Sequence, residues 1–506
     1  MPRLVLLTVA LLSLLSCLEG WAAPCYRLTL DGKPESRVVA LAERALQRRE
    51  RMGIGTDSCD LEVSPLYIAD LEARGLHVIT VSRWLNTVVV MPDDGVEVAD
   101  SEWASLPFVT SVKQLTVKRQ VGAPRRDAGK HDAAIAAAQS TGDCADPLRQ
   151  VNALEPLYEA GHRGQGMLIA VLDAGFLRAD EWDWLSHGVI GHRDLYATVS
   201  GRDRTFTADD HGTACLSIMA CQQERGVWGT AQDASYYLIR TESDYSETEL
   251  EEDIWVAGAE LADSLGADII SSSLGYTTFD DGLNDHTPDD FCQGTVCISR
   301  GAEVACRKGM LVCNAAGNEG NKTWCRLLYP ADVADVLTVG GVTATGAPAS
   351  FTSRGFCTPY VKPDVSARAS ACFVINANDA TGALYNSASG TSYATPLIAG
   401  LCASLWSAVP SLTPSQLREC LRQSCSACAT PDSITGYGIP DFGMALDLAR
   451  QLTSDAAITS VTVDAPPAAT ERDGAVWYTL MGQRCSTRPR HGICVRKGSK
   501  DPIIVR

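Results

Sequence analysis

Short apolar runs alternate with longer stretches of helical periodicity through most of this 506-residue chain. Between Cys144 and about Leu452, runs such as MLIAVL, GMLVC and VLTVGGV are apolar at almost every position. Strands buried on both faces of a sheet have this pattern, whereas strands with one solvated face alternate apolar and polar residues. The pattern predicts an α/β domain over 144–452, with a parallel sheet flanked by helices.

The residues on either side of this domain follow other patterns. Residues 24–120 alternate β-like runs (CYRLTL, HVITV, NTVVVM, PFVTSV) with helix-like stretches, which predicts a small α+β N-terminal domain. Residues 121–143 have no apolar period and carry basic residues among Gly, Ala and Pro, so they are predicted to be an exposed linker. That linker is either cut at its basic pairs or simply solvated. Residues 453–506 begin as a linker and end in alternating segments, which predicts a small β-rich C-terminal tail.

The first 23 residues have the order of a secretory signal peptide. Arg3 precedes the apolar run LVLLTVALLSLLSCL, and the small residues Ala22 and Ala23 follow it. The stretch Leu14 to Cys17 also resembles a lipoprotein signal, in which an acylated Cys17 would attach the protein to a membrane. The chain is therefore predicted to be exported, either secreted or held at the cell surface, including the outer membrane.

The net charge limits the classes of binding partner, and the cysteine content indicates the redox state of the compartment. The formal net charge of −18 argues against nucleic acid and anionic lipid as partners, because both are bound mainly through Lys and Arg. The chain has 19 cysteines, and removal or acylation of Cys17 leaves an even number. We therefore predict disulfide bonds formed in an oxidising compartment, with their connectivity left open.

Four polar residues lie where α/β proteins form ligand sites. Asp173 ends the run MLIAVL, His211 opens an apolar helical pattern, Ser392 precedes LIAGLCASLW, and Asn318 lies in the small-residue turn of CNAAGNEG. Together they offer a nucleophile, a base, a carboxylate to orient the base and an oxyanion donor. Each residue alone has a more ordinary explanation, as a turn former, a helix cap or a structural histidine.

Eight sequence segments in a fixed order favour the catalytic interpretation over these ordinary ones. They resemble the landmarks of subtilisin-like serine peptidases, a family whose catalytic residues follow the order Asp, His, Ser. The segments are VLDAGF, DDHGTA, IISSSLG, NAAGNEG, LYPADVADVLTVGGV, ASFTSRG, KPDVSA and SGTSYATPLIAG. The resemblance covers about 144–452 and implies a subtilisin-like fold. It also implies that Ser392 is the nucleophile, His211 the general acid and base, Asp173 the residue that orients His211, and Asn318 a donor in the oxyanion hole.

The same resemblance implies a substrate cleft between two walls of small residues. One wall would be Ser273, Leu274 and Gly275, and the other Ala315, Ala316 and Gly317. Small residues on both sides predict room for a sizeable P1 side chain, the substrate residue on the acyl side of the cut bond. The family also suggests a cis Tyr329–Pro330 bond.

The chain departs from the family pattern at three positions next to these motifs. Ala174, Tyr393 and Leu397 replace the usual Thr, Met and His. None of the three takes a proton or holds an oxyanion, so they bear on substrate preference and not on the chemistry.

The chemistry requires no cofactor and no metal ion. Family resemblance allows structural calcium, but the acidic run SETELEEDIW is interpreted as the first turns of a helix, where acidic side chains favour the helix dipole. The N-terminal domain resembles the propeptides of this family, which act as intramolecular inhibitors and chaperones.

The predicted function is that of a secreted serine endopeptidase acting on proteins or peptides. The alternatives are a catalytically silent surface protein that binds partners through the same fold, and an esterase.

Overall fold

The computed structural model describes residues 21–93, 97–119, 144–222, 227–356, 358–379 and 385–460, and four short strands of the tail. The predicted linker 121–143, the acylation candidate Cys17 and signal residues 1–20 lie outside the described residues. The N-terminal segment, residues 21–119, forms an antiparallel sheet of order β2-β3-β1-β4 with two nine-residue helices and a short helix at Asp100–Trp103. Its elements are β1 (Trp21–Leu30), α1 (Glu43–Arg51), α2 (Pro65–Ala73), β2 (Leu76–Ser82), β3 (Thr87–Pro92) and β4 (Val109–Arg119). Strand β1 thus begins before the predicted end of the signal peptide at Ala23.

A seven-stranded parallel sheet forms the centre of the next part of the chain. Its order is β11-β10-β9-β8-β5-β7-β6, and every neighbouring pair is parallel. The strands are β5 (Leu168–Asp173), β6 (Val189–Asp194), β7 (Ser235–Arg240), β8 (Ile269–Ser272), β9 (Leu311–Ala315), β10 (Leu337–Val342) and β11 (Val365–Arg368). The predicted parallel sheet is confirmed.

Helices cover both faces of this sheet, which explains the continuous apolar runs in its central strands. They are α3 (His211–Ala220), α4 (Leu250–Leu265), α5 (Cys297–Arg307), α6 (Thr391–Ala408), α7 (Pro414–Ser424) and α8 (Phe442–Ser460). In β5, Ile169 and Val171 pack into the core that contains α3 and α6. Leu168, Ala170 and Leu172 pack into the opposite core with α4 and α5. Successive side chains of a strand point to opposite faces, so a strand with two buried faces is apolar at successive positions instead of at every second one.

The order of the strands determines where the candidate residues meet. Strands β5, β8 and β9 are neighbours, and parallel strands end at the same edge of a sheet. Asp173 ends β5, Ser273 follows β8 and Ala315 ends β9. Helices α3 and α6, which carry His211 and Ser392, contact each other beneath this edge.

The N-terminal segment packs on helix α4. Cys25 of β1 and Leu115 of β4 share an apolar cluster with Leu250 and Ile254 of α4. The acidic run predicted to open a helix does so, although α4 begins only at Leu250. Four carboxylates of the run bind other groups of the protein. Glu249 and Asp253 pair with Arg27, Glu251 accepts from the N–H groups of Ser243 and Thr248, and Glu252 pairs with His286. These contacts agree with a structural use of the run.

The remaining strands form a hairpin and the sheet of the tail. Strands β12 (Cys372–Ile375) and β13 (Tyr385–Ala388) pair antiparallel. Residues 454–506 form a separate compact unit with a four-stranded antiparallel sheet of order β15-β14-β16-β17. Its strands are β14 (Trp477–Thr479), β15 (Arg484–Cys485), β16 (Gly492–Arg496) and β17 (Ile503–Val505). Within the described residues, none of the helices has the length and apolarity needed to cross a membrane.

The described cysteines give the disulfide prediction no support. Apart from Cys144 and Cys221, the cysteines whose side chains the structure describes, all between Cys25 and Cys428, carry free thiols. Most of these thiols are buried, as with Cys215, Cys313 and Cys402. Buried cysteine packs like a small apolar residue, so the cysteine content is accommodated here by the core.

Candidate active site

Asp173 provides a fully buried carboxylate at the end of β5. The N–H of Ala174 donates to its Oδ1 at 2.8 Å, which helps to fix the carboxylate. Both oxygens face Nδ1 of His211, at 2.9 Å for Oδ1 and 3.1 Å for Oδ2. A backbone carbonyl or carboxylate at this nitrogen selects the tautomer with the proton on Nδ1. The other ring nitrogen, Nε2, is then the basic one.

Helix α3 reaches Asp173 because its second residue is glycine. The N–H of Gly212 donates to the carbonyl of Gly175 at 3.0 Å. A Cβ atom at Gly212 would lie 2.4 Å from that carbonyl oxygen and 2.9 Å from Cβ of Asp173. Any larger residue would push the start of α3, and His211 with it, away from β5.

The environment of His211 has two opposing effects on its pKa. Burial lowers the pKa, because it disfavours the charged imidazolium. The negative charge of Asp173 and its hydrogen bond raise the pKa, and the net result lies well above the ordinary value of 6.5. The pair therefore stabilises the imidazolium that forms when His211 accepts a proton.

Cys215, one helical turn after His211, is a member of the site that sequence reasoning missed. Its Sγ lies 3.9 Å from His211 Nδ1 and donates to the carbonyl oxygen of Ser392 at 3.5 Å. Burial raises the pKa of this thiol, so it stays protonated. In the described part of the chain, Asp173, His211 and Cys215 are also the three side chains close enough together to share a metal ion, within 4.8 Å of one another. The spacing of four residues in an apolar helix was the signal that could have identified Cys215.

Ser392 lies in the first turn of α6 and is 8% exposed. Its Oγ donates to the carbonyl of Ser273 at 3.4 Å, and Ser273 Oγ donates to the carbonyl of Ser392 at 2.7 Å. The end of β8 and the start of α6 are thus fixed to each other. Backbone N–H groups of a first helical turn have no partner within the helix. Those of Thr391 and Tyr393 donate to Asn318 and to the carbonyl of Gly390, so the N–H of Ser392 is the candidate donor to an anion here.

Asn318, in the turn after β9, is oriented by the residue before Ser392. Its Oδ1 accepts from the N–H of Thr391 at 2.9 Å and from Thr391 Oγ at 3.1 Å. A backbone N–H can only donate, so this contact identifies the oxygen of the amide and leaves the NH₂ group as a donor. The amide of Asn318 lines the same cavity as Ser392.

That cavity has a volume of about 110 Å³ and lies between the two predicted substrate walls. Five of the six predicted residues line it, namely Ser273, Leu274, Gly275, Ala315 and Gly317. The sixth, Ala316, has its side chain fully buried in the core and takes no part in the lining. The Tyr329–Pro330 bond beside the cavity is cis, as expected, and Lys362–Pro363 is a second cis bond.

The lining also contains six residues that were not predicted to line it: Leu328, Thr391, Glu242, Glu247, Glu319 and Lys322. Lys322 pairs with Glu319 at 3.0 Å. The hydroxyl of Tyr276 donates to Glu242, and both burial and the nearby carboxylates raise the pKa of that tyrosine well above 10. Tyr276 therefore stays protonated and remains a donor to Glu242. The cavity is acidic and suits neutral or basic substrate side chains better than acidic ones.

Comparisons with known proteins agree with this geometry. The model of the Subtilase family matches residues 164–438, and a model described as the peptidase S8 propeptide domain of Bacteroidota matches residues 31–130. Subtilisin E of Bacillus subtilis is 28% identical over 274 residues, which cover 53% of this chain and 63% of subtilisin E. A thermostable alkaline protease of Halalkalibacterium halodurans is 28% identical over 295 residues, covering 57% of this chain and 70% of that protein.

Among solved structures, fervidolysin from Fervidobacterium pennivorans, described as a keratinolytic enzyme related to subtilisin, has a similar fold. The TM-score is 0.57 at 18% identity, over 85% of this chain and 61% of that one. The matched region spans less than two thirds of subtilisin E and of fervidolysin. The Subtilase model itself accounts for more than half of the 506 residues. The chain therefore belongs to the subtilase family.

Proposed function

We propose that this subtilase is an exported serine endopeptidase that hydrolyses peptide bonds through an acyl-enzyme on Ser392. The observation that carries the proposal is the hydrogen-bonded pair of Asp173 and His211 at the same sheet edge as Ser392 and Asn318. Four side chains with complementary roles meet there, in the order along the chain that the family uses. A protein that only binds partners has no chemical need for all four.

In the proposed reaction, Ser392 Oγ attacks the carbonyl carbon of the substrate while Nε2 of His211 takes its proton. The Asp173 carboxylate holds the proton on Nδ1 and stabilises the imidazolium. The oxyanion accepts hydrogen bonds from the NH₂ group of Asn318 and from the N–H of Ser392. His211 then gives its proton to the leaving amine, the C–N bond breaks, and water releases the acyl group by the same steps.

The N-terminal segment is proposed to act as an intramolecular inhibitor and chaperone. The match to a propeptide domain supports this role, and so does the packing of β1 and β4 on α4. We propose the domain order signal peptide (1–23), propeptide (24–120), linker (121–143), catalytic domain (144–452) and tail (453–506). Attachment through an acylated Cys17, structural calcium and disulfide bonds remain predictions from the sequence.

Digestion of an unfolded protein substrate tests the proposal. The native sequence should degrade it, and Ser392→Ala should lose on the order of 10⁶-fold in turnover, because the residues of a triad act as a unit. Ser407→Ala is the matched control, since Ser407 lies in the same helix and its hydroxyl donates only within that helix, to the carbonyl of Ser404 at 2.7 Å. Equal turnover by native sequence and Ser392→Ala would refute the proposal, and inactivity of a folded, processed native chain would favour the binding-protein alternative.

A further inference from the structure

The segment that contains Leu328 joins the two walls of the cavity. The N–H of Leu328 donates to the carbonyl of Ala316, within one wall, at 3.1 Å. The next residue, Tyr329, exchanges two backbone hydrogen bonds with Tyr276, next to the other wall, at 3.0 and 3.1 Å. Backbone pairing on both sides fixes the position of Leu328 relative to both walls.

The side chain of Leu328 fills the space between the walls. A Cβ atom at Gly275 would lie 2.6 Å from Cβ and 3.3 Å from Cδ1 of Leu328. A Cβ atom at Gly317 would lie 2.5 Å from Cγ and 3.0 Å from Cδ1 of the same side chain. Real Cβ atoms do not approach a neighbour to within 3.0 Å, so Leu328 packs directly against the backbone of both glycines. The two glycines are small because Leu328 occupies the room beside them.

This packing bears directly on the predicted room for a sizeable P1 side chain. Two walls of small residues predict a deep slot for a large P1 side chain, but only if nothing projects between them. Leu328 is half-buried and lines the cavity together with Ser392 and Asn318. The slot therefore has a leucine side chain in it, close to the atoms that would perform the reaction.

We propose that Leu328 closes the P1 pocket and restricts this subtilase to substrates with a small P1 side chain, such as alanine, glycine or serine. The proposal rests on the proposed function, because it concerns the substrate of the same site. A large P1 side chain would have to displace Leu328, whose backbone is held on both sides and whose side chain touches both walls. A single methylene in an apolar pocket changes kcat/KM by about 10- to 200-fold, and a phenylalanine side chain exceeds alanine by far more than one methylene.

The test uses peptides that are identical except for Ala or Phe at P1, with kcat/KM measured on the chain as purified. We expect the native sequence to favour Ala by about 100-fold or more. Leu328→Ala and Leu328→Gly should each shift the ratio toward Phe by at least about 10-fold. Leu283→Ala, a leucine that is 67% exposed and does not line the cavity, should leave the ratio unchanged. A native preference for Phe, or an unchanged ratio in both Leu328 variants, would overturn the inference.

Binding separates failure of this inference from failure of the proposed function. In a Ser392→Ala background, calorimetry would measure the affinity for product peptides that end in Ala or Phe. Suppose that the native chain hydrolyses no peptide, that the Ser392→Ala chain binds the peptide ending in Ala more tightly than the one ending in Phe, and that adding Leu328→Ala removes this difference. The pocket inference then stands and the proposed function fails. Equal affinities for the two peptides overturn the inference whether or not hydrolysis occurs.

Discussion

One carboxylate of helix α4 holds three arginines of the N-terminal segment, and its removal should loosen that segment. Asp263 is fully buried and pairs with Arg48 at 2.5 Å, Arg49 at 2.6 Å and Arg83 at 3.3 Å. The side chains of the three arginines are 0%, 5% and 11% exposed. Replacement of Asp263 by Asn keeps the shape of the side chain and removes its charge.

The structure allows an estimate of the magnitude. Loss of one partner from a buried ion pair costs about 3–5 kcal/mol, because the other charge stays buried without compensation. Arg49 and Arg83 each keep a second carboxylate, whereas Arg48 keeps a backbone carbonyl. Burial already lowers the pKa of Arg48 in spite of Asp263, so its charged form depends strongly on that partner. We therefore expect the lower end, about 3 kcal/mol, which is about 100-fold in an equilibrium constant.

Hydrogen exchange in a Ser392→Ala background, which prevents self-digestion, measures this effect. The amides of α1, the helix that carries Arg48 and Arg49, should exchange about 100-fold faster in Asp263→Asn because the segment opens more often. Asp70→Asn is the control, since Asp70 forms an exposed ion pair with Arg74 at 3.3 Å, and such pairs contribute about 1 kcal/mol or less. Exchange in α1 within about twofold of the parent in Asp263→Asn would refute the reasoning.

Other predictions concern the reaction and the thiols. Asn318→Ala should lower kcat by about 10² to 10³-fold with little change in KM, and an unchanged kcat would exclude an oxyanion contact. Because the Asp173 charge holds the pKa of His211 well above 6.5, the neutral base is present only above that pKa, so kcat/KM should fall toward acid pH with a midpoint above 6.5. Asp173→Asn should move this midpoint down, and a native midpoint below 6.5 would contradict the assignment. Iodoacetamide, without reductant, should modify the exposed Cys428 and spare the buried Cys215, whereas an unreactive Cys428 would indicate that it is paired.

The sequence predicted the parallel sheet and the meeting of Asp173 with His211 because both depend on local patterns. Runs with no polar position indicate strands buried on two faces, and polar residues at their ends lie at one edge. The order of the eight motifs then connected residues that are far apart along the chain. These predictions hold because they depend only on the order of the strands in the sheet.

The contacts that sequence missed join residues with no shared pattern. Leu328 lies ten residues beyond Asn318, and backbone pairing of Leu328 with Ala316 and of Tyr329 with Tyr276 brings its side chain against the two glycines of the walls. The pair of Arg48 with Asp263 spans 215 residues. Charge and size at such positions are visible in the sequence, but the partner of each is decided by tertiary packing.

Identification of the residue that reacts with a fluorophosphonate tests the central claim most directly. The native chain, labelled and digested, would be mapped by mass spectrometry, beside Ser392→Ala as the unreactive control. The account predicts a single adduct on the peptide that contains Ser392 and no adduct in the variant. A chain that digests protein substrates while its adduct lies on another residue, or while Ser392→Ala labels equally, would contradict it.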